Sequence, residues 1–139
     1  MIYLLSTQSL LDLLTGQPEM ESWIEDKQAR SVEISSVSIG QVLRQIHAET
    51  NVAERKELES AFEKLLMVFR AYRGVMPFDE PASKTWSTLC SMTLMHDSSV
   101  ELSSESRMVV ATALTRNATF VDANRPYHAD LPSLDVENP

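Results

Sequence analysis

The sequence is poor in positive charge and in glycine. Its 12 lysines and arginines stand against 20 aspartates and glutamates, which leaves a formal net charge of −8. Because neutralisation of phosphates supplies most non-specific affinity for nucleic acid, this balance disfavours tight, unassisted nucleic-acid binding, although a local basic groove stays compatible with it. With only three glycines, the chain has no glycine-rich phosphate-binding loop.

Cysteine is represented by Cys90 alone. One cysteine excludes an intramolecular disulfide and fits a reducing compartment, so we expect a cytoplasmic protein. We expect Cys90 itself to be a small buried side chain on a helix. No paired Cys/His spacing indicates a zinc site, and the histidines lack the context of a catalytic base.

Long apolar runs are also missing. None approaches the roughly 20 residues that span a bilayer, and no basic segment of a secretory signal begins the chain, so we expect no membrane association. The composition, 43% hydrophobic and 23% charged, is ordinary for a globular protein. The length of 139 residues fits one domain, residues 1–139.

Short apolar runs alternate with amphipathic stretches along the whole chain. The pattern predicts strands at 2–5, 32–37, 75–79, 119–122 and 134–137, and helices at 9–14, 19–29, 38–49, 52–73, 81–96 and 103–116. Strands that alternate with helices favour a three-layer α/β/α fold around a central, mainly parallel sheet of about four to five strands. At the end of the first strand, where functional groups collect in such folds, Ser6 is expected to cap the next helix.

Four segments carry a family resemblance: YLLSTQSLLDLLTG, EISSVSIGQVLRQI, VMPFDEPASKTW and ESRMVVATALTRNATFVDANRPY. Together and in this order they resemble the PIN-domain family, specifically the VapC-type toxins of bacterial toxin–antitoxin pairs. The resemblance covers nearly the whole length. It implies a PIN-like fold, an ancestral metal-dependent ribonuclease site, homodimers formed through helices, and an antitoxin-like protein as partner.

The acidic positions of that family are neutral in this chain. Where the family usually reads YLLDTN, this chain has Ser6; the acid of SxxxxxE falls at Gln41, and the aspartate of EDRxxAATA falls at Ser106. A fourth position, aspartate or asparagine in the family, aligns with Asn124. The resemblance therefore implies a degenerate site, in which we expect Gln41 to hydrogen-bond to Ser6 or Ser106.

Loss of the acids changes the chemistry that the site can perform. Mg²⁺ binds through oxygens and requires anionic ligands to compete with its hydration shell, whereas hydroxyls and amides are neutral. We therefore expect a pseudoenzyme without a metal cofactor that acts by protein or RNA binding. The alternative is an active Mg²⁺- or Mn²⁺-dependent endoribonuclease with relocated ligands, for which Glu105, Asp122 and Asn124 are the candidates.

Binding surfaces can be suggested from the same sequence. Arg107 and Arg125 lie near the degenerate site and are candidates for contacts to RNA phosphates, although such arginines also pair with surface acids. An antitoxin-like partner should use apolar groove contacts, because an inserted arginine would find no carboxylate. One helix carries an apolar stripe suited to a homodimer contact or to packing on its own sheet: Leu58, Phe62, Leu65, Leu66 and Phe69.

Overall fold

A parallel sheet forms the centre of the computed structural model, which describes residues 1–27, 31–95, 100–122 and 134–139. Within these residues the sheet has five strands in the order β3-β2-β1-β4-β5, and each neighbouring pair is parallel. The predicted parallel sheet is therefore confirmed. The strands are β1 (Tyr3–Leu5), β2 (Val32–Ser35), β3 (Val75–Met76), β4 (Thr119–Val121) and β5 (Val136–Glu137).

Helices connect these strands and cover both faces of the sheet. In the described ranges they are α1 (Thr7–Leu14), α2 (Pro18–Asp26), α3 (Ser36–His47), α4 (Val52–Tyr72), α5 (Glu80–Cys90) and α6 (Ser104–Thr115). No helix in this part of the chain combines the length and the apolar content that a bilayer crossing needs.

Alternation of side chains along the strands divides the core into two layers. Leu4 and Phe120 belong to one buried cluster, which also contains side chains of α5 and α6. Tyr3, Leu5 and Ile34 belong to a second buried cluster, which contains side chains of α1, α2, α3 and α4. Because successive strand residues point to opposite faces, β1 and β4 each contribute to both clusters, and the three-layer α/β/α prediction is confirmed.

Several predicted boundaries were wrong. Strand β3 stops at Met76 and does not reach Asp79, because the Asp79 carboxylate accepts a hydrogen bond from the Ala82 backbone N–H and caps α5. Strand β2 stops at Ser35, because the Ser35 hydroxyl accepts a hydrogen bond from the Val37 backbone N–H and starts α3. Helix α5 ends at Cys90 and does not continue to His96, which lies outside the described residues. The Cys90 side chain is exposed at this helix end, so the expectation of a buried thiol was also wrong.

The apolar stripe of α4 lies mainly inside the molecule. Phe62, Leu66 and Phe69 are buried in the second cluster, and Leu58 and Leu65 pack against it while partly exposed. Packing on its own sheet is thus the alternative that the structure supports for the stripe. The three buried residues are therefore not available for a dimer contact, and the homodimer itself stays a prediction.

The chain changes direction at β1. From β1 it proceeds through β2 to β3 on one side, and β4 and β5 then extend the sheet on the other side. In open α/β sheets, ligands bind beyond the carboxyl ends of the strands at such a switch point. Ser6 directly follows β1 and therefore lies at the position where a site is expected.

Candidate functional site

A pocket of about 200 Å³ lies at the carboxyl end of β1. The three neutralised family positions, Ser6, Gln41 and Ser106, all line it, although they come from three distant parts of the chain. The structure thus brings these sequence-predicted residues together. Among the described residues the lining consists of Ser6, Thr7, Gln8, Leu11, Gln41, Gln45, Ser106, Val109 and Phe120.

Ser6 is buried, at 3% exposure, and it caps α1 as the sequence predicted. Its Oγ accepts a hydrogen bond from the Ser9 backbone N–H at 3.0 Å and donates to Ser9 Oγ at 3.1 Å. Ser9 Oγ donates in turn to the Val121 carbonyl at 3.0 Å, at the end of β4. A chain of hydroxyls therefore joins the pocket to the neighbouring strand.

Gln41 is held by Thr7. Thr7 Oγ1 donates to Gln41 Oε1 at 2.6 Å and lies 2.9 Å from Ser38 Oγ. A hydroxyl has one proton, so Ser38 is the donor to Thr7. Within the described residues Gln41 thus bonds Thr7, which corrects the expectation of a bond to Ser6 or Ser106.

Ser106 lies in the first turn of α6. The Ser106 backbone N–H donates to Ser103 Oγ at 3.1 Å, which makes Ser103 the helix cap. Ser103 Oγ donates to Ser106 Oγ at 3.0 Å. One lone pair of Ser106 Oγ is therefore engaged by the helix cap, and the Ser106 hydroxyl keeps its own proton available.

The pocket does not fit a divalent metal. All nine lining residues are uncharged, whereas Mg²⁺ and Mn²⁺ sites are built from carboxylates with some neutral oxygens. The described residues also contain no group of three or more His, Cys, Asp or Glu side chains placed to hold a metal ion. The donor set favours hydrogen bonding over metal coordination.

Two of the proposed substitute ligands lie outside the pocket lining. Glu105 Oε1 lies 3.7 Å from Arg44 Nη1, and Asp122 is completely buried after β4. Neither residue is part of the lining in the described part of the chain, and the relocated metal site stays a prediction. Asn124 lies outside the described residues, so its alignment with the family position stays a prediction.

Arg107 is a structural residue. Its guanidinium is 95% buried and donates to the backbone carbonyls of Leu89, Leu102 and Met92, the last two at 3.2 and 2.8 Å. It also lies 2.7 Å from a carboxylate oxygen of Glu101. The expectation that Arg107 contacts RNA is therefore corrected. Arg125 lies outside the described residues.

A second depression lies between α1 and α4. It has a volume of about 290 Å³, and a neighbouring depression of about 370 Å³, lined by Glu54, Glu57, Leu58 and Ala61, lies towards the start of α4. We call the two together the α1/α4 groove. This groove was not predicted, although a 3-4 spacing along α4 (58, 61, 65, 68, 72) is typical of a second apolar edge. The part beside α1 is lined by Leu13, Leu14, Ala61, Lys64, Leu65 and Val68.

The solved structures that resemble this chain contain toxin–antitoxin proteins. VapBC2 from Rickettsia felis bound to a promoter DNA fragment matches with a TM-score of 0.78 and 17% identity over 99% of this chain and 98% of the other. FitAcB from Neisseria gonorrhoeae matches with a TM-score of 0.75 and 19% identity over 99% and 97%. VapBC-5 from Mycobacterium tuberculosis gives 0.68 and 17% over 99% and 98%.

Sequence comparison alone finds no relative. No protein-family model matches the chain, and no curated protein matches it. At identities of 17–19% the structural matches establish the fold. That fold is the one that the four sequence segments indicated, so the resemblance to VapC-type PIN domains is confirmed at the level of architecture.

Proposed function

We propose that this chain is a VapC-like PIN-domain protein that has lost metal-dependent ribonuclease activity and acts by binding a protein partner. The observation that carries the proposal is the lining of the pocket, where Ser6, Gln41 and Ser106 come together and, among the described residues, no lining side chain is ionisable. Relative to the family pattern, three negative charges are missing. Charges a few ångströms from a bound cation dominate its binding energy, so most of the attraction for Mg²⁺ is missing with them.

The replacements also favour a stable protein without metal. Clustered carboxylates repel one another when no cation neutralises them. In their place, Ser6 caps α1, and Gln41 accepts a hydrogen bond from Thr7. Neutral hydrogen bonds thus replace a cluster of like charges, and a loss of function accompanies a gain in stability, as is common in proteins.

The partner that we propose is a small protein that contributes an amphipathic helix to the α1/α4 groove. The structural neighbours are VapBC and related toxin–antitoxin structures, which supports a partner of antitoxin type. Glu54 and Glu57 line one end of the groove, and the whole chain is acidic. A helix with an apolar stripe and basic residues beside it is the complementary occupant.

Homodimer formation and a cytoplasmic location complete the proposal. Met67 and Tyr72 are exposed on α4, next to the buried stripe, and provide apolar area for a second copy. The molar mass of the protein in solution, measured by light scattering, tests this. The exposed thiol of Cys90 fits a reducing compartment.

Metal titration tests the central claim. Isothermal calorimetry with Mn²⁺ should show no site-specific binding to the wild-type chain. The triple variant Ser6→Asp, Gln41→Glu, Ser106→Asp should gain one site. A scattered triple variant with the same added charge, Gln17→Glu, Thr50→Asp, Thr93→Asp, should gain none.

Two outcomes would contradict the proposal. Stoichiometric Mn²⁺ binding by the wild-type chain would show that a metal site survives. A ribonuclease activity that requires Mn²⁺ and disappears in Glu105→Gln would establish the alternative function with relocated ligands. If the triple variant binds no metal, the alignment of the three positions with the family acids is wrong.

A further inference from the structure

The neutral pocket presents hydrogen-bond donors on its walls. The Thr7 proton is committed to Gln41 Oε1 at 2.6 Å, so within the described residues both N–H groups of the Gln41 amide remain for a ligand. Ser106 Oγ accepts from Ser103 at 3.0 Å and keeps its own O–H to donate. The two N–H groups of Gln41 on α3 and the O–H group of Ser106 on α6 are therefore donors at positions where the family pattern has carboxylates, which only accept.

Acceptors lie on the side of α1. Ser6 Oγ accepts from the Ser9 N–H and retains a second lone pair. Gln8 Nε2 donates to Asp12 Oδ1 at 2.9 Å, which leaves Gln8 Oε1 as an acceptor. The apolar remainder of the lining consists of Leu11, Val109 and Phe120.

The charge around the pocket selects an uncharged ligand. None of the lining residues in the described part of the chain is ionisable. Arg44 lies on α3 one turn from Gln41, and its guanidinium is paired with Glu105 at 3.7 Å. Among these lining residues a bound phosphate or carboxylate would therefore find no cation, and a bound ammonium or guanidinium would find no anion.

We propose that this pocket binds an uncharged primary carboxamide, the side chain of an asparagine or glutamine presented by a protein partner. The carbonyl oxygen accepts from Gln41 and Ser106, and the NH₂ group donates to Ser6 and Gln8. The proposal rests on the proposed function, in which the pocket binds and does not hydrolyse. The net charge of −8 favours a protein over RNA as the source, because RNA would bring its phosphates along.

Three solutes of equal size separate the effect of charge from that of shape. Propionamide, propionate and n-propylammonium are titrated into the ¹⁵N-labelled full chain while its amide signals are recorded by NMR. Propionamide should shift the signals of Ser6, Gln41 and Ser106 and should bind at least about threefold more tightly than either ion, as expected for one or two neutral hydrogen bonds.

Matched variants test the donors. Gln41→Met keeps the length of the side chain and removes the amide, and it should weaken propionamide binding by about 3- to 10-fold. Gln17→Met changes an exposed glutamine outside the pocket and should leave binding unchanged. Equal binding of all three solutes, tightest binding of n-propylammonium, or no effect of Gln41→Met would overturn the proposal.

The source of the carboxamide is decided by larger probes. Acetyl-glutamine methylamide should bind more tightly than propionamide if a protein side chain is the ligand; equal binding would assign the same chemistry to a free small amide. Tighter binding of uridine than of the blocked glutamine would overturn the assignment to a carboxamide.

Mn²⁺ added to the same samples separates this inference from the proposed function. Broadening of the amide signals at the pocket would contradict the proposed function. If Mn²⁺ causes no broadening and propionamide causes no shifts, this inference alone is contradicted.

Discussion

Thr7 and Gln41, which are 34 positions apart in the chain, share a 2.6 Å hydrogen bond at the pocket. Thr7 begins α1, and Gln41 lies in α3, so the bond ties together two helices that follow neighbouring strands. Thr7 also lies 2.9 Å from the hydroxyl of Ser38, which is completely buried. A threonine that is no candidate for chemistry thus organises the polar network at the switch point of the sheet.

Removal of the Thr7 hydroxyl should destabilise the fold. Thr7→Val leaves the Ser38 hydroxyl and the Gln41 carbonyl without this partner, and we expect a loss of about 1–2 kcal/mol in the free energy of unfolding. Thr50→Val, at an exposed position, should change stability by less than about 0.5 kcal/mol. Urea unfolding measures both, and a double-mutant cycle with Gln41→Met should give a coupling of about 1 kcal/mol. Equal stability of both threonine variants would contradict the role of the bond.

Much of the fold could be predicted from local patterns. The apolar run before Ser6 predicted β1, and serine after a strand predicted the helix cap, because both depend on neighbours in sequence. The meeting of Ser6, Gln41 and Ser106 depends on contacts between distant segments. It could be anticipated only from the family resemblance, and the structure places all three around one pocket.

Other features could not be predicted, since they depend on packing between distant segments. Arginine is usually a surface residue, so the burial of Arg107 could not be predicted. Its carbonyl acceptors at Leu89 and Met92 come from the end of α5 and the residues after it. The Thr7–Gln41 bond requires the relative rotation of two helices. Likewise, the spacing along α4 does not tell which apolar edge faces the sheet and which lines the α1/α4 groove.

Arg107 should contribute to stability and not to RNA binding. Arg107→Met removes the donor to the Leu102 and Met92 carbonyls and to Glu101, and one of the donors to the Leu89 carbonyl. We expect a loss of about 3 kcal/mol or more in the free energy of unfolding. Arg44→Met, at a side chain that is 71% exposed, should cost less than about 0.5 kcal/mol. Chemical unfolding compares the two, and near-equal stabilities would refute the structural role.

The α1/α4 groove should bind a basic amphipathic helix. A synthetic helical peptide with leucine at heptad positions a and d and lysine elsewhere should bind more tightly than its counterpart with glutamate in place of lysine. Val68→Asp places a carboxylate in the groove and should weaken binding by at least about tenfold. Met67→Asp adds the same charge at an exposed neighbour outside the lining and serves as the control. Fluorescence anisotropy measures the four affinities; similar losses in both variants would assign the peptide to another surface.

Asp79 should make the free energy of unfolding depend on pH in the acidic range. The Ala82 backbone N–H donates to its carboxylate, and this bond, with a smaller contribution from Arg116 and against partial desolvation, holds the pKa of Asp79 below its usual value of 3.8. A carboxyl with a lowered pKa in the folded state stabilises the protein above the unfolded pKa, and this stabilisation is lost as pH falls through the folded pKa. Asp79→Asn keeps a capping oxygen and should be less stable than wild type at neutral pH.

The difference between the Asp79→Asn variant and wild type should vanish once the pH lies below the folded pKa of Asp79. Urea midpoints between about pH 7 and about pH 2.5 measure it. Arg116→Met should remove only part of the effect, because the bond from Ala82 remains. A difference that stays constant with pH would show that the charge of Asp79 contributes nothing.

Restoring the three acids should make the stability of the protein depend on a bound metal ion. In Ser6→Asp, Gln41→Glu, Ser106→Asp, three carboxylates share one pocket, and their repulsion raises their pKa values in the folded state. Folded-state pKa values above the unfolded ones mean that the native state binds more protons, so stability should fall as pH rises through the unfolded pKa values. Without metal the variant should therefore melt below wild type at neutral pH. Added Mn²⁺ should raise its melting temperature with concentration and leave both wild type and the scattered acidic triple variant unchanged. If Mn²⁺ raises the melting temperature of wild type as steeply as that of the variant, the wild-type chain still has a metal site and the proposed loss is wrong.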